Sequence, residues 1–265
     1  MRDTKIAIAQ LAIVDGDKNA NLKKMKDAIK EACEKSVEII VFPELMLTGL
    51  VEKDEVKALA EARDGKSFQK IQTMVKEHPI SVVYSFLELG AGGEIYITTC
   101  LIDHNGEALG YYRKTHLFGD EKQLFNRGDD WTVVEQEDFR IGLLTCYDIE
   151  LPEPARALAL QGVNLLIVNS ANMAPYEYIH RLSIQMRALE NQIFVVYCNR
   201  LGANKWFEYR GQSAAVGPDG LIIADAGLDN EVVQVIDLPI EKYQSSPAEF
   251  NYLADRRPEL YQKLC

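Results

Sequence analysis

The stretch FRIGLLTCYDIELPE, at residues 139–153, sets an apolar run directly before Cys146 and a proline-marked helix start. An apolar run of this kind is typical of a buried strand, and proline followed by glutamate is typical of a first helical turn. Two more apolar runs follow, VNLLIVN at 163–169 and IFVVYCN at 193–199, with a helical pattern at 176–191 between them. Buried strands that alternate with helices predict an α/β protein whose sheet is covered on both faces.

The rest of the chain repeats this alternation. The predicted helices lie at 21–33, 54–61, 67–77 and 153–161, and the other predicted strands at 6–11, 37–42, 80–89, 95–103, 131–135, 213–217 and 231–237. No serine- or proline-rich linker, low-complexity stretch or internal repeat interrupts the sequence. We therefore expect one domain over residues 1–265, in which residues 247–265 form a C-terminal tail that packs on a partner subunit.

The composition excludes several classes of protein. The 265 residues are 47% hydrophobic, which excludes disorder, and 29 basic against 40 acidic residues give a net charge of −11. This acidic balance, without a block of lysines and arginines, argues against nucleic acid or a membrane surface as a partner. No apolar run is long enough to span a membrane, and the charged amino terminus does not resemble a signal-peptide core. The expected location is the cytoplasm.

The cysteines and histidines show no metal or disulfide pattern. The five cysteines are odd in number, widely spaced and without a CxxC pair. The four histidines lack HExxH spacing, and the chain has neither a P-loop nor a GxGxxG motif. Reduced thiols, no metal and no organic cofactor are therefore expected. Cys33 on a helix face and Cys100 and Cys198 inside strands are expected to pack, and Cys265 lies in the tail.

Three segments each place a reactive side chain where a predicted strand ends. Glu44 lies in VFPELMLTG, Lys114 lies in YYRKTHLFGDE, and Cys146 ends the apolar run quoted above. Open α/β sheets build their sites at the carboxyl ends of strands. A cysteine there faces free backbone N–H groups, which lower a thiol pKa and stabilise an oxyanion, so the position suits a nucleophile. A carboxylate between apolar neighbours, as in Glu44, suits a general base and acid.

Each of these residues also has a plainer interpretation. A single cysteine is most often a small buried hydrophobe, and glutamates and lysines are mostly solvated. His116 is either a partner of Cys146, as in thiol proteases, or a residue that orders its loop by hydrogen bonding, and we prefer the second. Glu121 sits in Gly119-Asp120-Glu121-Lys122, a sequence that would also suit a solvated charge run.

Together the three segments resemble the nitrilase superfamily of carbon–nitrogen hydrolases, whose Glu, Lys and Cys occur in this order and in these local contexts. The resemblance runs from the strand IAIAQL to GQSAAVGPDG, nearly the whole chain. It implies a four-layer αββα sandwich. It implies that Glu44 is the base, Lys114 the cation that holds the oxyanion, and Cys146 the nucleophile. It also implies that the backbone N–H of Tyr147 is a second oxyanion donor and that Glu121 positions the substrate and Lys114.

Two longer segments narrow the resemblance. CYDIELPEPARALALQGVNLLIVNSANMAPYEY and IQMRALENQIFVVYCNR look like the short-chain aliphatic amidases, especially those similar to 5-aminopentanamidase. By this resemblance Asn172 lines the pocket. Tyr176 is a further candidate for the lining, and Trp206, in the loop 202–210, is either at the pocket rim or packed within its loop. Ser170, where many relatives have threonine, is expected to alter the width of the pocket. An amine at the far end of the substrate would meet the carboxylate of Glu177 or Glu208, unless both are solvated.

The activity implied is hydrolysis of a short linear aliphatic carboxamide to a carboxylate and ammonia through a thioester on Cys146. The alternative is an N-carbamoyl amine or amino-acid amidohydrolase, which uses the same residues. A nitrilase and an inactive scaffold protein rank lower. The implied partners are a small-molecule amide and further copies of the chain, in a homodimer or higher homo-oligomer built through helices beside the cysteine loop.

Other residues are assigned to the surroundings of the site. Arg187 and Glu190 stand three apart on a predicted helix, where such a pair is often solvated. We expect Arg187 instead to contact Asp148 and brace the cysteine loop. Trp131 is expected in a strand of the core, and Trp206 at the rim of the pocket.

Overall fold

Two six-stranded β-sheets, covered by helices, form the computed structural model of the chain, which describes residues 3–245 and 251–261. The strands are β1 (Thr4–Gln10), β2 (Ile39–Val41), β3 (Ser81–Leu89), β4 (Ile95–Ile102), β5 (Ala108–Arg113), β6 (Val133–Gln136), β7 (Phe139–Thr145), β8 (Leu165–Ser170), β9 (Phe194–Asn199), β10 (Leu201–Ala203), β11 (Glu208–Arg210), β12 (Ala214–Val216), β13 (Ile222–Asp225) and β14 (Val232–Leu238). The helices are α1 (Lys18–Glu34), α2 (Lys53–Leu59), α3 (Lys66–Glu77), α4 (Glu121–Leu124), α5 (Pro152–Leu160), α6 (Glu177–Asn191), α7 (Ile240–Ser245) and α8 (Pro258–Tyr261), and a 3-10 turn spans Cys146–Ile149.

Each large sheet has a parallel centre and antiparallel edges. The first has the order β14-β1-β2-β3-β4-β5, in which β1, β2 and β3 are parallel. The second has the order β13-β12-β9-β8-β7-β6, in which β7, β8 and β9 are parallel. Parallel neighbours need a crossover connection, which α1 supplies between β1 and β2, α5 between β7 and β8, and α6 between β8 and β9.

The two sheets pack face to face, with helices on their outer faces. Along β1, Ile6 and Ile8 pack in one cluster with Ile167 of the second sheet. Ala7, which points the other way because strand side chains alternate, packs in a second cluster with Met25 of α1. Buried residues of α5 and α6 join the first cluster from the far side of the second sheet. The four layers form the αββα sandwich that the sequence predicts, and each fully buried isoleucine stabilises it by about 1.5–3 kcal/mol.

The strand ends that carry the candidate residues meet at one edge of this sandwich. β5 runs in the same direction as β3 because each is antiparallel to β4. The carboxyl ends of β2 and β5 therefore lie on the same side of the first sheet. The Glu44 backbone N–H donates to the Ser170 carbonyl at 3.2 Å, which ties the segment after β2 to the end of β8 in the second sheet.

Most predicted elements match the observed ones to within about two residues at each end, and the differences are local. The β10–β11 hairpin and β13 were not predicted, because these strands are short or mixed in polarity. β5 was expected only as a strand that ends before Lys114, without bounds. Trp131 was expected inside a strand, and this is wrong. It precedes β6, where its backbone N–H donates to the Asp130 side chain at 2.8 Å and its ring stacks on His116, so it packs against the core from a loop.

The end of the chain is described in part. Residues 251–261 carry α8, whereas residues 246–250 and 262–265, Cys265 among them, lie outside the described residues. The assignment of one domain to the chain and the packing of residues 247–265 on a partner stay predictions. Within residues 3–245 and 251–261, every helix is too short or too polar to cross a membrane.

Candidate active site

A cavity of about 480 Å³ opens at the edge where the strand ends meet. Cys146, Glu44 and Glu121 line it, and Lys114 is fully buried with its ammonium group between the two carboxylates. The other walls come from the loops that follow β2, β5 and β8 and from the β10–β11 hairpin. The residues predicted at three strand ends are therefore brought together at one cavity.

Cys146 stands in a strained turn at the end of β7. Its φ is +49°, in the left-handed region that residues other than glycine seldom adopt. A conformation of this kind costs about 1–3 kcal/mol and persists only where the surroundings impose it. Here the Thr145 backbone N–H donates to Asp148 Oδ2 at 3.0 Å and closes the turn. The turn brings Cys146 to the cavity surface, where 9% of the residue is exposed.

Asp148 is the buried anchor of this turn. Its Oδ2 also accepts a hydrogen bond from the Tyr112 hydroxyl at 2.8 Å. Its Oδ1 accepts from the His116 backbone N–H at 2.9 Å and from the Thr115 hydroxyl at 3.0 Å. His116 Nδ1 lies 2.9 Å from the same oxygen. His116 therefore orders its loop through hydrogen bonds, which is the interpretation that the sequence favoured.

Arg187 braces the cysteine turn, but not through Asp148. Its Nε donates to the Ile149 carbonyl at 3.2 Å and its Nη2 to the Glu150 carbonyl at 2.9 Å. Its Nη1 pairs with Glu190 at 2.9 Å. The expected contact with Asp148 is wrong because that carboxylate is already occupied by donors from its own turn and from the loop after β5.

Glu44, Lys114 and Glu121 form a connected group, called here the Lys114 cluster. Lys114 Nζ lies 2.8 Å from Glu44 Oε1 and 2.9 Å from Glu121 Oε2. Backbone donors hold both carboxylates: the Ala171 N–H binds Glu44 Oε2 at 3.0 Å, and the Phe118 N–H binds Glu121 Oε2 at 2.8 Å. The side chains of Lys114, Glu44 and Glu121 expose 0%, 3% and 17% of their surface, so Glu121 is not a solvated charge.

Burial and charge set the protonation states in the cluster. The expected lowering of the Cys146 thiol pKa is wrong: burial raises this pKa, and Glu44 and Glu121 add to the effect, whereas Lys114 opposes it. Burial raises the pKa of Glu121 as well, against the opposing effect of Lys114. Burial disfavours the charge on Lys114, but the two carboxylates outweigh it and raise the pKa of Lys114 well above its ordinary value. At neutral pH the cavity therefore holds a charged ammonium beside a protonated thiol.

Tyr147 directly follows the thiol residue in the 3-10 turn. Its ring packs edge-on against Phe118, with the ring centroids 5.4 Å apart. Phe118 lines the cavity, and the Tyr147 side chain supports that wall from outside the lining. Any contact of Tyr147 with a reacting group is therefore through its backbone N–H.

The structure separates the other residues predicted to bind substrate. Trp206 lines the cavity and exposes 42% of its surface. Asn172 does not line it, because its side chain is buried and donates to the Tyr176 carbonyl at 3.0 Å. Tyr176 lies outside the lining, is 47% exposed and precedes α6. Both were expected in the pocket, but they belong to the loop that joins β8 to α6 and lie outside the lining.

Three more residues lie outside the lining of the pocket, and for Glu177 and Glu208 this agrees with the solvated alternative. Glu177, in the first turn of α6, and Glu208, on β11, lie outside the lining, so neither carboxylate is available at the cavity for a distal amine. Ser170 does not set the width of the pocket. Its side chain is fully buried and lies 3.3 Å from His180 Nδ1, away from the lining.

Several residues of the lining were not predicted from the sequence, among them Phe118, Arg200 and Tyr209. Arg200 is 1% exposed, pairs with Asp15 at 2.9 Å and stacks on the Tyr209 ring at 4.2 Å. A signal was present for two of them. Phe118 lies between Lys114 and Glu121 in sequence, and Arg200 directly follows a buried strand, where the rule of strand ends applies.

The other described cysteines have no part in this geometry. Cys100 and Cys198 are fully buried in β4 and β9, and Cys33 is half-buried on α1. Burial raises the pKa of Cys100 to about 12 and the pKa of Cys198 well above its ordinary value. Across residues 3–245 and 251–261, no group of three or more His, Cys, Asp or Glu residues is arranged to hold a metal ion.

The chain is similar to known proteins over almost its whole length. The model of the carbon-nitrogen hydrolase family matches residues 5–248, and the chain belongs to that family. The chain is 40% identical over 254 residues to an (R)-stereoselective amidase from Pseudomonas sp., covering 96% of this chain and 91% of that protein. It is also 40% identical to a Pseudomonas protegens protein named "Hydrolase in pqqF 5'region", covering 100% of this chain and 93% of the relative.

Solved structures with a similar fold include those of the amidase from Nesterenkonia sp. AN1. A double mutant of that amidase in complex with acrylamide matches with a TM-score of 0.90 and 28% identity, covering 99% of this chain and 97% of that one. A single mutant in complex with butyramide matches with a TM-score of 0.88 and 29% identity, again covering 99% and 97%. The αββα architecture is therefore shared with enzymes that bind small amides.

Proposed function

We propose that this chain is an amidase that hydrolyses a short linear aliphatic carboxamide to a carboxylate and ammonia through a thioester on Cys146. The observation that carries the proposal is the buried Lys114 ammonium, held at 2.8 Å and 2.9 Å by Glu44 and Glu121 at the cavity that Cys146 lines. Membership of the carbon-nitrogen hydrolase family and the amide complexes of the Nesterenkonia enzyme support it.

The first step is attack of Cys146 on the amide carbonyl. Because the pKa of the thiol is raised, the thiol needs a base, and we assign this role to Glu44, which lines the same cavity. A new bond then forms between Sγ and the carbonyl carbon, and the carbonyl oxygen becomes an oxyanion. The Lys114 ammonium and the Tyr147 backbone N–H stabilise that charge.

The second step is loss of the leaving group. Glu44 returns the proton to the amide nitrogen, the C–N bond breaks, and ammonia departs, which leaves a thioester on Cys146. Water then attacks the thioester with Glu44 again as base, which releases the carboxylate and restores the thiol. Glu121 touches Lys114 but is held by the Phe118 N–H, so its role is to position Lys114 and the substrate.

A second candidate is hydrolysis of an N-carbamoyl amine, whose carbonyl carries two nitrogens. The observation that favours it is a relative from Solanum lycopersicum, 30% identical over 284 residues, that is named N-carbamoylputrescine amidase. The same cluster would serve this reaction because the attacked carbonyl is planar in both substrates. We rank it second because the more similar relative is named an amidase.

A substrate panel tests the proposal. Ammonia release is measured from acetamide, butyramide, N-carbamoylputrescine and butyronitrile at equal concentrations, with amine release measured in parallel. We expect turnover of the two amides to exceed that of the other substrates by about tenfold or more. Faster release of putrescine would replace the amidase assignment with the second candidate, and turnover of the nitrile alone would overturn both.

We also propose that the enzyme is a homo-oligomer built through α5 and α6. Tyr178, Leu182 and Met186 stand four residues apart on α6 and expose 61%, 61% and 48% of their surfaces. Leu160, at the end of α5, is 52% exposed. Residues four apart share one helix face, and an exposed apolar face of this kind marks an interface. Leu182→Asp should shift the mass measured by light scattering to that of a monomer, and an unchanged mass would remove this surface from the interface.

The proposed location is the cytoplasm. Free thiols support it. No disulfide joins the four cysteines of the described chain, Cys33, Cys100, Cys146 and Cys198, and the cytosol keeps thiols reduced. Fractionation of the source cells tests the assignment, which activity found mainly outside the cytosolic fraction would contradict.

A further inference from the structure

The size and lining of the cavity carry an inference about substrate class that rests on the proposed function. We propose that the substrate range extends beyond short linear amides to amides with a bulky, uncharged apolar acyl group, of the size of cyclohexanecarboxamide. The amide end would lie at Cys146, and the ring would lie against the apolar walls.

Volume is the first observation. The cavity measures about 480 Å³, within the range of roughly 300–1,000 Å³ found for pockets of drug-sized ligands. One molecule of liquid water occupies a volume of about 30 Å³, so the cavity has room for roughly sixteen groups of that size. The non-hydrogen atoms of butyramide, about six such groups, fill less than half of it. The remaining space is available to a larger acyl group.

The chemistry of the walls is the second observation. The apolar lining includes Leu45, Val51, Leu124 and Met173. At the rim, Phe118 and Trp206 expose 41% and 42% of their surfaces although both are apolar. Covering exposed aromatic faces with an apolar ligand is favourable in water. A ring that fills the cavity gains this contact.

The charges of the lining are the third observation. Outside the Lys114 cluster, Arg200 is neutralised by Asp15 at 2.9 Å, and Glu52 pairs with Lys205. The other charged residues of the lining, one basic and one acidic, are exposed to solvent: Lys53 and Asp120. A charged distal group would lose hydration on entry without gaining a buried counter-charge. The cavity therefore favours an uncharged acyl group.

The test compares kcat/KM for cyclohexanecarboxamide, butyramide, 5-aminopentanamide and succinamate by ammonia release. We expect cyclohexanecarboxamide to be hydrolysed at least as efficiently as butyramide and about tenfold better than either charged amide. Trp206→Ala should lower the ratio of cyclohexanecarboxamide to butyramide by about threefold or more. The matched control, Leu221→Ala, removes an apolar side chain that is 64% exposed outside the lining and should leave the ratio unchanged.

The outcomes separate this inference from the proposed function. Turnover of butyramide with tenfold lower efficiency for cyclohexanecarboxamide would overturn the inference and leave the amidase assignment in place. A preference for 5-aminopentanamide or succinamate would overturn it equally. If Leu221→Ala lowered the ratio of kcat/KM for cyclohexanecarboxamide to that for butyramide as much as Trp206→Ala does, the rim residue Trp206 would have no specific part in binding the ring. Absence of turnover with every amide would overturn both proposals.

A second inference comes from a buried histidine that the mechanism does not use. His180, on α6, is 1% exposed. Its Nε2 lies 3.1 Å from Glu150 Oε1, and its Nδ1 lies 3.3 Å from Ser170 Oγ and 3.0 Å from the Tyr197 hydroxyl. Glu150 directly follows the cysteine turn, and Ser170 ends β8. We call this the Glu150–His180–Ser170 chain.

Hydrogen bonds link the members of this chain. The Glu150 carboxylate accepts only, so His180 Nε2 donates to it. Ser170 Oγ accepts from the Tyr197 hydroxyl and from the Asn172 backbone N–H, each at 3.2 Å. These contacts hold the segment at the end of β8.

That segment holds the proposed base. The Ser170 carbonyl accepts from the Glu44 backbone N–H at 3.2 Å, and the next residue, Ala171, donates its N–H to Glu44 Oε2 at 3.0 Å. We infer that His180 is a positioning residue, which acts through Ser170 to orient the Glu44 carboxylate toward the thiol. It touches neither substrate nor the reacting atoms.

Variants at Glu150 and Ser170 test this role without creating a large cavity in the core. Glu150 is 27% exposed in its side chain, so Glu150→Ala should fold, and Glu150→Gln keeps an acceptor for His180 Nε2. We expect Glu150→Ala and Ser170→Ala to lower kcat by about tenfold, with KM changed less than about twofold, because misplacing the base slows chemistry rather than binding. Glu150→Gln should recover most of the lost kcat.

The pattern across the variants decides the inference. A wild-type kcat for both alanine variants would overturn it. Equal losses in Glu150→Ala and Glu150→Gln would overturn it too, since the acceptor would then be irrelevant. A rise in KM without a fall in kcat would assign these residues to binding and remove the positioning role. Thermal melting of each variant confirms that it is folded at the assay temperature.

Discussion

Arg113 and Lys114 are neighbours in the chain, but they lie in two clusters of opposite electrostatics. In the first, one carboxylate meets two guanidinium groups: Glu88 lies 2.6 Å from Arg113 Nη2 and 2.9 Å from Arg63 Nε, and it accepts from the Thr98 hydroxyl at 2.7 Å. In the Lys114 cluster, one ammonium meets two carboxylates. We call the first group, Arg63, Glu88 and Arg113, the Glu88 cluster.

The carboxyl pKa values move in opposite directions in the two clusters. Burial acts to raise the pKa of Glu88, but Arg113, Thr98 and Arg63 together outweigh it and hold the pKa below its ordinary value. Burial and a neighbouring carboxylate raise the pKa of Glu121 although Lys114 opposes them. A carboxylate with two cations keeps its charge and stabilises the fold. Where two carboxylates share one cation, the pKa of Glu121 is raised, and shifts of this kind are typical of functional sites.

The largest effect should come from removing the shared cation. Lys114→Met leaves two buried carboxylates without a counter-charge and removes an oxyanion donor. We expect kcat/KM to fall by about a thousandfold and the free energy of unfolding to fall by about 3–5 kcal/mol. Ammonia release and urea unfolding measure the two quantities.

The neighbouring residue is the matched control. Arg113→Met leaves Glu88 with Arg63 and Thr98, so kcat/KM should change by no more than about threefold. A loss of activity in Arg113→Met as large as in Lys114→Met would mean that the two clusters are not functionally distinct.

Glu121→Gln should separate activity from stability. Losing the carboxylate misplaces Lys114, so we expect kcat to fall by about a hundredfold. Because the folded pKa of Glu121 is raised from 4.5, its contribution to stability is fully present below that value and is lost as the pH rises through the folded pKa. The variant should therefore gain stability relative to wild type as the pH rises above 4.5. Unchanged kinetics would return Glu121 to a structural role.

Glu88→Gln should show the reverse behaviour. The folded pKa of Glu88 is lowered from 4.5, so its contribution is present above that value and is lost as the pH falls through the folded pKa. We expect the variant to lose about 1.5–3 kcal/mol of unfolding free energy at neutral pH, and the deficit to shrink in acid. Its kcat should stay within about twofold of wild type. A large loss of kcat at full stability would contradict the structural role of this cluster.

The smallest effect is expected at the exposed end of the Glu88 cluster. Arg63 exposes 42% of its side chain, so its ion pair with Glu88 is screened by solvent. Arg63→Gln should lower the unfolding free energy by less than about 1 kcal/mol and leave kcat unchanged. Urea unfolding at low and high salt checks this, and a loss comparable to that of Glu88→Gln would mean that Arg63 rather than Arg113 holds the carboxylate.

Sequence patterns predicted an α/β protein with covered sheets and the three strand ends, because both follow from local order. The four-layer sandwich was implied by the resemblance to the nitrilase superfamily. A buried strand is visible as an apolar run, and the residue that follows it is placed at a sheet edge, which located Glu44, Lys114 and Cys146. The partners of Arg187 could not be found in this way. They depend on which groups already donate to Asp148. One of these groups is the hydroxyl of Tyr112, more than thirty residues away in sequence.

The pocket walls were harder to predict for the same reason. Asn172 and Tyr176 were assigned to the cavity from the resemblance to the aliphatic amidases, but the loop after β8 folds back and uses their groups for its own hydrogen bonds. Phe118 and Tyr209 come from loops whose course is set by packing between the two sheets rather than by a repeating pattern. A rule about strand ends identifies residues that directly follow a strand. It does not identify the loop residues that line the rest of the cavity.

The most direct test of the central claim is ammonia release from butyramide by Cys146→Ala, with Cys33→Ala as the control that removes a half-buried thiol elsewhere. The account predicts that wild type and Cys33→Ala release ammonia at similar rates and that Cys146→Ala is slower by about a thousandfold or more. A folded Cys146→Ala variant that keeps a rate near that of wild type would contradict the assignment of this thiol as the nucleophile.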